Sequence, residues 1–257
     1  MIGIARGPNA LQQRLGSAEW LSPSQFRLGG AEFGLVDLGA PRAAPPALTL
    51  KKPRSFLETY AEVLGETQTR NVLELGLNHG GSAAFFAALL EPEKLVSIDL
   101  SEPVRRFEEF RAANPLGQRI RARYRTAQDD EAALATILTE DFDGPLDLVL
   151  DDASHSYGPT RASFEILFPR IRPGGWYVIE DWQWAHAPGF MDRLDEPALS
   201  NLLFQLLMVC AGRPDLVAKL EVRQGMAFVA RGSAPVSEQR LELDQLCFMQ
   251  GRRFQLL

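Results

Sequence analysis

From about residue 53 the chain alternates between two hydrophobic spacings. NVLELGL (71–77), KLVSIDLS (94–101), LDLVLDD (146–152) and WYVIED (176–181) are short, nearly continuous apolar runs, as expected of strands buried on both faces. RIRARYRT is a weaker strand of the same kind. Between these runs, apolar residues recur at helical steps in SFLETYAEVLGE, GGSAAFFAALLE, EPVRRFEEFRAAN, DDEAALATILTE and TRASFEILFPRI, with Ser55 as the expected N-cap of the first. Pro173-Gly174-Gly175 reads as a tight turn into the last apolar strand. A looser stretch (182–197) follows, then the helical ALSNLLFQLLMVCAG and a closing hairpin, KLEVRQGMAFVARG, turning near Gly225. Strands alternating with helices at this spacing predict right-handed βαβ units and a mostly parallel α/β sheet covered on both faces; the hairpin makes seven strands.

Residues before this body behave differently. QFRL and AEFGLVDL flank Gly29-Gly30 as a second hairpin, and GAPRAAPP (39–46) is a stiff, structure-poor connector. Residues 1–50 are therefore expected to form a small N-terminal appendage, either a lid or a homo-oligomer contact, on a main domain spanning 51–257. Hydrophobic residues make up 46% and charged residues 23% of 257, an ordinary globular balance. A net charge of −6 argues against a nucleic-acid partner, which calls for a basic face. No apolar run reaches the ~18 residues of a membrane span, and the N-terminus carries no secretory apolar core, so a cytoplasmic protein is expected. Cys210 and Cys247 lack metal or redox spacing and are expected to be reduced thiols.

In an open α/β sheet, ligands bind beyond the carboxyl ends of the strands, so those positions carry the chemistry. After the first strand stands Glu74-Leu-Gly76-Leu-Asn78-His-Gly80-Gly81-Ser82, opening a helix. A dinucleotide fingerprint would have glycine at Asn78, where backbone must approach a pyrophosphate; a ligand without pyrophosphate fits better. Asp99 closes the second strand about 20 residues on, where an acid can take a ribose hydroxyl pair. Asp151 and Asp152 end the fourth strand, followed by His155, and Glu180-Asp181 end the fifth. If those strands are neighbours, four carboxylates meet in one place. They cannot all stay ionised unless a cation joins them. Clustered carboxylate oxygens suit Mg²⁺, Ca²⁺ or Mn²⁺.

With these residues together, E-x-G-x-x-x-G-G-S and D-D-x-S-H followed by P-G-G-x-x-x-x-E-D, the chain resembles class I adenosylmethionine-dependent methyltransferases over about 55–232. It looks most like the branch containing the macrocin and mycinamicin sugar O-methyltransferases and the cephalosporin-hydroxylase-like proteins. Ala153 stands where that branch commonly has glycine. The resemblance implies a Rossmann-like class I fold and S-adenosylmethionine as cofactor. Glu74, Gly76, Gly80, Gly81 and Ser82 would surround the methionine part, Asp99 the ribose and Gln128-Asp129 the adenine, with Asp151 counted in the same set. Asp152, Glu180 and Asp181 would bind Mg²⁺ or another divalent cation, and His155 would be the general base, with Asp152 beside it in the catalytic set. The expected activity is O-methylation of a small-molecule acceptor, a sugar hydroxyl of a natural product or nucleotide-sugar foremost. Four alternatives remain open: a metal-independent methyltransferase, a catechol-type acceptor, an oxidoreductase needing a second histidine, which only His79 or His186 could supply, and a non-catalytic nucleotide-binding or assembly module, against which the acids and histidines gathered at strand ends argue. Trp182, Trp184 and Tyr157 read either as an acceptor wall or as packing.

Overall fold

The computed structural model describes residues 7–37, 41–65, 67–188, 196–236 and 240–256. A short helix α1 (Ala10–Gly16) leads into strands β1 (Glu19–Ser22), β2 (Gln25–Leu28), β3 (Ala31–Leu35) and β4 (Leu48–Leu50). The main body then runs α2 (Arg54–Val63), β5 (Asn71–Leu75), α3 (Gly81–Leu90), β6 (Lys94–Asp99), α4 (Arg105–Ala113), β7 (Ile120–Tyr124), α5 (Glu131–Glu140), β8 (Leu146–Asp151), α6 (Tyr157–Leu167) and β9 (Ile171–Glu180). It closes with α7 (Ser200–Gly212), β10 (Val217–Arg223) and β11 (Met226–Arg231).

Seven strands form one sheet in the order β10-β11-β9-β8-β5-β6-β7. The pairs β5·β6, β6·β7, β5·β8 and β8·β9 are parallel, while β11 runs antiparallel to both β9 and β10. This is the mostly parallel sheet with a closing hairpin that the alternating pattern predicts, and the Rossmann-like class I arrangement that the resemblance implies. The chain leaves β5 toward β6 on one side and later returns to β8 on the other. The carboxyl ends of β5 and β8 are therefore the switch point where such sheets open a crevice.

Two of the sequence expectations shift. Ser55 lies inside the first turn of α2, whose N-cap is Pro53; proline's fixed φ starts the helix two residues early. Pro173-Gly174-Gly175 is not a turn outside the strand but a bulge within β9, where the register with β8 jumps from Leu146↔Ile171 to Leu148↔Trp176. A Cβ on Gly175 would stand 2.6 Å from the Asp147 carbonyl oxygen, which explains the glycine.

The small sheet β1-β2-β3-β4 packs on the main body through α3, every residue of which is buried. An all-round apolar helix must be covered on all sides. Phe85 meets the rings of Phe26 and Phe33 edge-on at 6.3 and 6.1 Å, so the appendage and the main sheet share one core. Truncating such a ring costs about 3–5 kcal/mol. Glycine 81 is needed for the same contact: a Cβ there would lie 1.9 Å from the Thr49 carbonyl oxygen of β4. Among the described residues no helix is long and apolar enough to cross a membrane. Cys247 is buried, Cys210 half-buried, and both are free thiols.

Candidate active site

Strand β5 delivers Glu74 and then Gly76 to the switch point. Gly76 has φ +97°, and a Cβ on it would stand 2.1 Å from the Asp152 carbonyl oxygen. Glycine here lets the ends of β5 and β8 touch. Three non-glycine residues of the same region also take left-handed backbone: Asn78 (φ +50°), His155 (φ +55°) and Asp181 (φ +56°). Such residues cost of order 1–3 kcal/mol each and cluster where a side chain must be aimed at a ligand. Asp181 is held in place by its own N–H, which donates to the Gly225 carbonyl at 2.7 Å.

One end of the crevice is a narrow cleft with polar walls. A cleft of about 210 Å³ is lined by Gly76, Asn78, Asp99, Leu100, Gln128 and Asp129 among others. The Asp99 carboxylate accepts from the backbone N–H of Asn78 and of Ser101, both at 2.7 Å, which fixes the loop and leaves a lone pair on each oxygen for a hydroxyl pair. The Gln128 side chain turns inward from the cleft wall. Its amide donates to Asp151 and Ser163 at 3.1 Å, and its oxygen accepts from the Ser154 N–H at 2.9 Å. Asp151 is buried and also accepts from the Tyr177 hydroxyl at 2.6 Å and the Ser163 hydroxyl at 3.1 Å. Burial pushes its carboxyl up to about 7 against those hydrogen bonds. Glu74 is a second buried acid, accepting from Ser97 at 2.6 Å, with Oε1 unpartnered and its carboxyl likewise pushed up to about 7 by burial.

The other end is ionic. An adjoining cavity of about 120 Å³ is lined by Lys52, His79, Ser82, Asp152, His155 and Asp181, with Trp184 at its wall. Ligand atoms of Asp152, His155 and Asp181 all fall within 4.8 Å of one another. Nε2 of His155 faces Asp152 Oδ1 at 3.9 Å, and its ring lies 4.1 Å from that of Trp184. Burial, then the Asp152 charge, raise the Asp181 carboxyl, opposed by His155 and Lys52. Behind this group Lys52 Nζ donates to Asp152 Oδ2 at 2.6 Å and to both oxygens of buried Glu180 at 2.7 and 2.6 Å. The Tyr60 hydroxyl donates to Glu180 as well. Burial alone would lower the Lys52 ammonium; Asp152 and Glu180 more than reverse that and keep it charged.

The structure thus brings Asp152, His155 and Asp181 together and turns Glu180 toward Lys52. Gly80 meets the Phe107 ring, and Gly81 the β4 backbone, so both serve packing at the start of α3. Ser82 lines the ionic cavity. His79 stands at the rim of the crevice, whereas His186 bonds to Ser200 at 3.0 Å. Among the described residues the cation-type cluster therefore contains a single histidine. Tyr157 is buried and donates to Gln205 at 3.0 Å, and Trp182 reaches the Arg223 carbonyl at 3.4 Å, which leaves Trp184 as the aromatic of the cavity. Lys52 and Tyr60 escape a reading by motif. Their only signal is the requirement that crowded carboxylates have a cation among them.

Fold and site together resemble those of class I methyltransferases. Residues 73–182 match the family model described as a methyltransferase domain. The mycinamicin VI 2''-O-methyltransferase of Micromonospora griseorubida is 48% identical over 64 residues, covering 25% of this chain and 16% of that protein. The 8-demethyl-8-(2-methoxy-alpha-L-rhamnosyl)-tetracenomycin-C 3'-O-methyltransferase of Streptomyces olivaceus is 33% identical over 130 residues, covering 48% of this chain and 30% of that protein. The chain accordingly spans less than a third of the length of these relatives. Among solved structures, the MycE methyltransferase of the mycinamycin pathway, in complex with Mg and SAH, superposes with a TM-score of 0.56 at 28% identity over 69% of this chain and 49% of its own.

Proposed function

We propose that this chain is an S-adenosylmethionine-dependent O-methyltransferase that uses a divalent cation to present a hydroxyl of a small molecule, a sugar of a natural product foremost. The observation that carries this reading is the meeting of Asp152, His155 and Asp181 beside the cleft that Asp99 borders at the switch point. Relatives named for methylating macrolide and tetracenomycin sugars, and a neighbour solved with Mg and SAH, support it. The donor set also suits the ion, since carboxylate oxygens with room for water satisfy a hard, oxygen-preferring dication and leave the imidazole beside them to take a proton.

Asp99 would hold the ribose, and the loop from Gly76 to Ser82, with Glu74 beneath it, the methionine part. Gln128 and Asp151 would act from below, keeping that wall rigid, and Asp129 would border the adenine. Asp152 and Asp181 would hold the cation, with Glu180 behind them. When bound, the cation lowers the pKa of the acceptor hydroxyl and fixes its oxygen, and the cofactor supplies the methyl group. His155 Nε2 is placed to take the hydroxyl proton, and most of the remaining gain comes from alignment in a walled cavity.

Calorimetric titration with S-adenosylhomocysteine and then Mg²⁺, on wild type and Asp152→Ala, tests the reading. Cofactor binding in both proteins, with Mg²⁺ binding lost in the variant, is the expected result. Cofactor binding without any Mg²⁺ binding would favour a metal-independent enzyme, for which Lys52 is the specific argument, because it already supplies one cation to Asp152 and Glu180. Failure of the protein to bind the cofactor would overturn the proposal.

A further inference from the structure

Beside its acids the crevice carries a positive rim. Arg42 borders a broad cavity of about 1070 Å³ together with Asn78, His79 and Asp99. Lys51 borders the smaller ionic cavity with His79, Ser82, His155 and Asp181. His79 belongs to both walls, so the two cavities meet beside it. Arg42 and Lys51 are exposed and make no ion pair or hydrogen bond among the described residues. From α4, Arg106 donates to the carbonyls of Ala43 and Ala47 and to no carboxylate. The acids of the same wall are already used: Glu102 pairs with Arg125, Glu109 with Arg105, and Asp99 accepts two backbone N–H groups. Burial, then the charges of Arg42 and Lys51, lower the pKa of the His79 imidazole, which places both cations within electrostatic reach of the ring. Its Nδ1 is buried without a hydrogen-bond partner among the described residues. In a chain of net charge −6 this local excess of positive charge needs an explanation.

The cofactor does not supply one. Adenosylmethionine brings a carboxylate, but also an ammonium and a sulfonium, so it adds positive charge to the crevice. Cations gathered around one rim repel each other unless an anion joins them. We propose that Arg42, Lys51 and His79 form a seat for an anionic group of the methyl acceptor, which makes that acceptor a sugar bearing a phosphate or a carboxylate. This rests on the methyltransferase reading above and narrows it. Phosphate and carboxylate offer the rim the same chemistry: a guanidinium takes two of their oxygens at once, and an ammonium takes one as a point charge. Lys51 and His79 share their cavity with His155 and Asp181, so an anion held there fixes which hydroxyl of the attached ring reaches the imidazole. The cavity beside Arg42 receives what the anion carries on its other side. Arg42 lies between β3 and β4, and Lys51 directly follows β4. The N-terminal sheet thus selects the acceptor, while the main sheet supplies the chemistry.

The test is calorimetric titration of the adenosylhomocysteine-loaded protein, in Mg²⁺, with glucose 1-phosphate, glucuronate and methyl glucoside. It is run on wild type and on the double variant Arg42→Gln/Lys51→Gln, whose exposed positions leave the fold intact, as a thermal melt checks. Wild type is expected to bind at least one anionic sugar about tenfold or more tightly than the neutral glycoside, the scale of one charge-assisted contact. The tighter of the two tells phosphate from carboxylate. The double variant is expected to lose this preference and to keep its adenosylhomocysteine affinity within about threefold. Equal affinity for charged and neutral sugars in wild type would show that the rim is no anion seat. A preference that survives in the double variant belongs to the bound Mg²⁺. A loss of adenosylhomocysteine affinity of about tenfold or more in that variant assigns the two cations to the methionine carboxylate. Each of these three results overturns the proposal and leaves the methyltransferase reading standing. If wild type binds no adenosylhomocysteine, that reading fails and the proposal falls with it.

Discussion

Asp151 and Asp152 are adjacent in sequence, yet they anchor opposite halves of the site. Asp151 points into the protein and is neutralised without a counter-charge: an amide and two hydroxyls surround it. Asp152 points into the crevice and is neutralised by an ammonium, with one oxygen left for the cavity. Alternation along a strand sends neighbouring side chains to opposite faces, so one dipeptide can serve both ends. The lesson is one of stiffness against charge. A network of neutral donors holds shape and offers no field to a ligand, whereas an incompletely compensated carboxylate cluster attracts a cation and the hydroxyl it carries.

Substitutions at the ionic half separate the two most sharply. His155→Gln is expected to lower kcat by about 10²–10⁴-fold, the usual contribution of a general base, with adenosylhomocysteine affinity unchanged by calorimetry. Equal losses in kcat and cofactor affinity would assign His155 to the nucleoside half instead. On the supporting half, Tyr177→Phe removes the 2.6 Å bond to Asp151 and leaves a buried acid short of a donor. A stability loss of about 1–3 kcal/mol is expected from urea melts, with Mg²⁺ affinity untouched. A loss of Mg²⁺ affinity as large as that expected for Asp152→Ala would show that the halves are coupled.

A pH series sharpens the contrast further. Glu74 belongs to the shape-holding side, with burial raising its carboxyl to about 7 from a value near 4.3 in an unfolded chain. Because the folded value is the higher one, its favourable contribution is full below pH ~4 and is lost as pH rises through about 7. Wild type should therefore lose stability relative to Glu74→Gln between pH 5 and 8, by about 3 kcal/mol at most. Parallel pH profiles for the two proteins would mean that the acid is already ionised when folded.

Much of this arrangement is legible in the chain itself, because its signals are periodic or punctual. Unbroken apolar runs announce buried parallel strands, Gly76 and Gly225 mark forced backbone, and acids at strand ends fall where a parallel sheet must open. What stays hidden is non-local. Lys52 carries no apolar period and lies 100 and 128 residues from the acids it pairs with, so only folding reveals the contact. The roles of Gly80 and Gly81 are obscured for the opposite reason. A glycine-rich loop suggests room for a ligand, but here the room is filled by Phe107 and by the Thr49 carbonyl. Gln128 sits at the expected place and spends its amide on support, which spacing along a strand end has no means to convey.

The smallest expected effect concerns the cavity wall. Trp184 lies tilted against the His155 ring, at 4.1 Å and 51°, and it is the aromatic residue lining the ionic cavity. Replacing it with phenylalanine keeps an apolar wall and shortens its reach. A loss near 1 kcal/mol, or about fivefold, is the scale of one aromatic contact. If Trp184 faces the acceptor, Trp184→Phe should raise KM for a sugar acceptor by that factor, with kcat and Mg²⁺ affinity nearly unchanged. If it only orients His155, the loss should fall on kcat, with KM unchanged. The split decides whether the acceptor end of the crevice extends past the imidazole to the segment after β9, or stops at His155 and leaves recognition to the rim near His79.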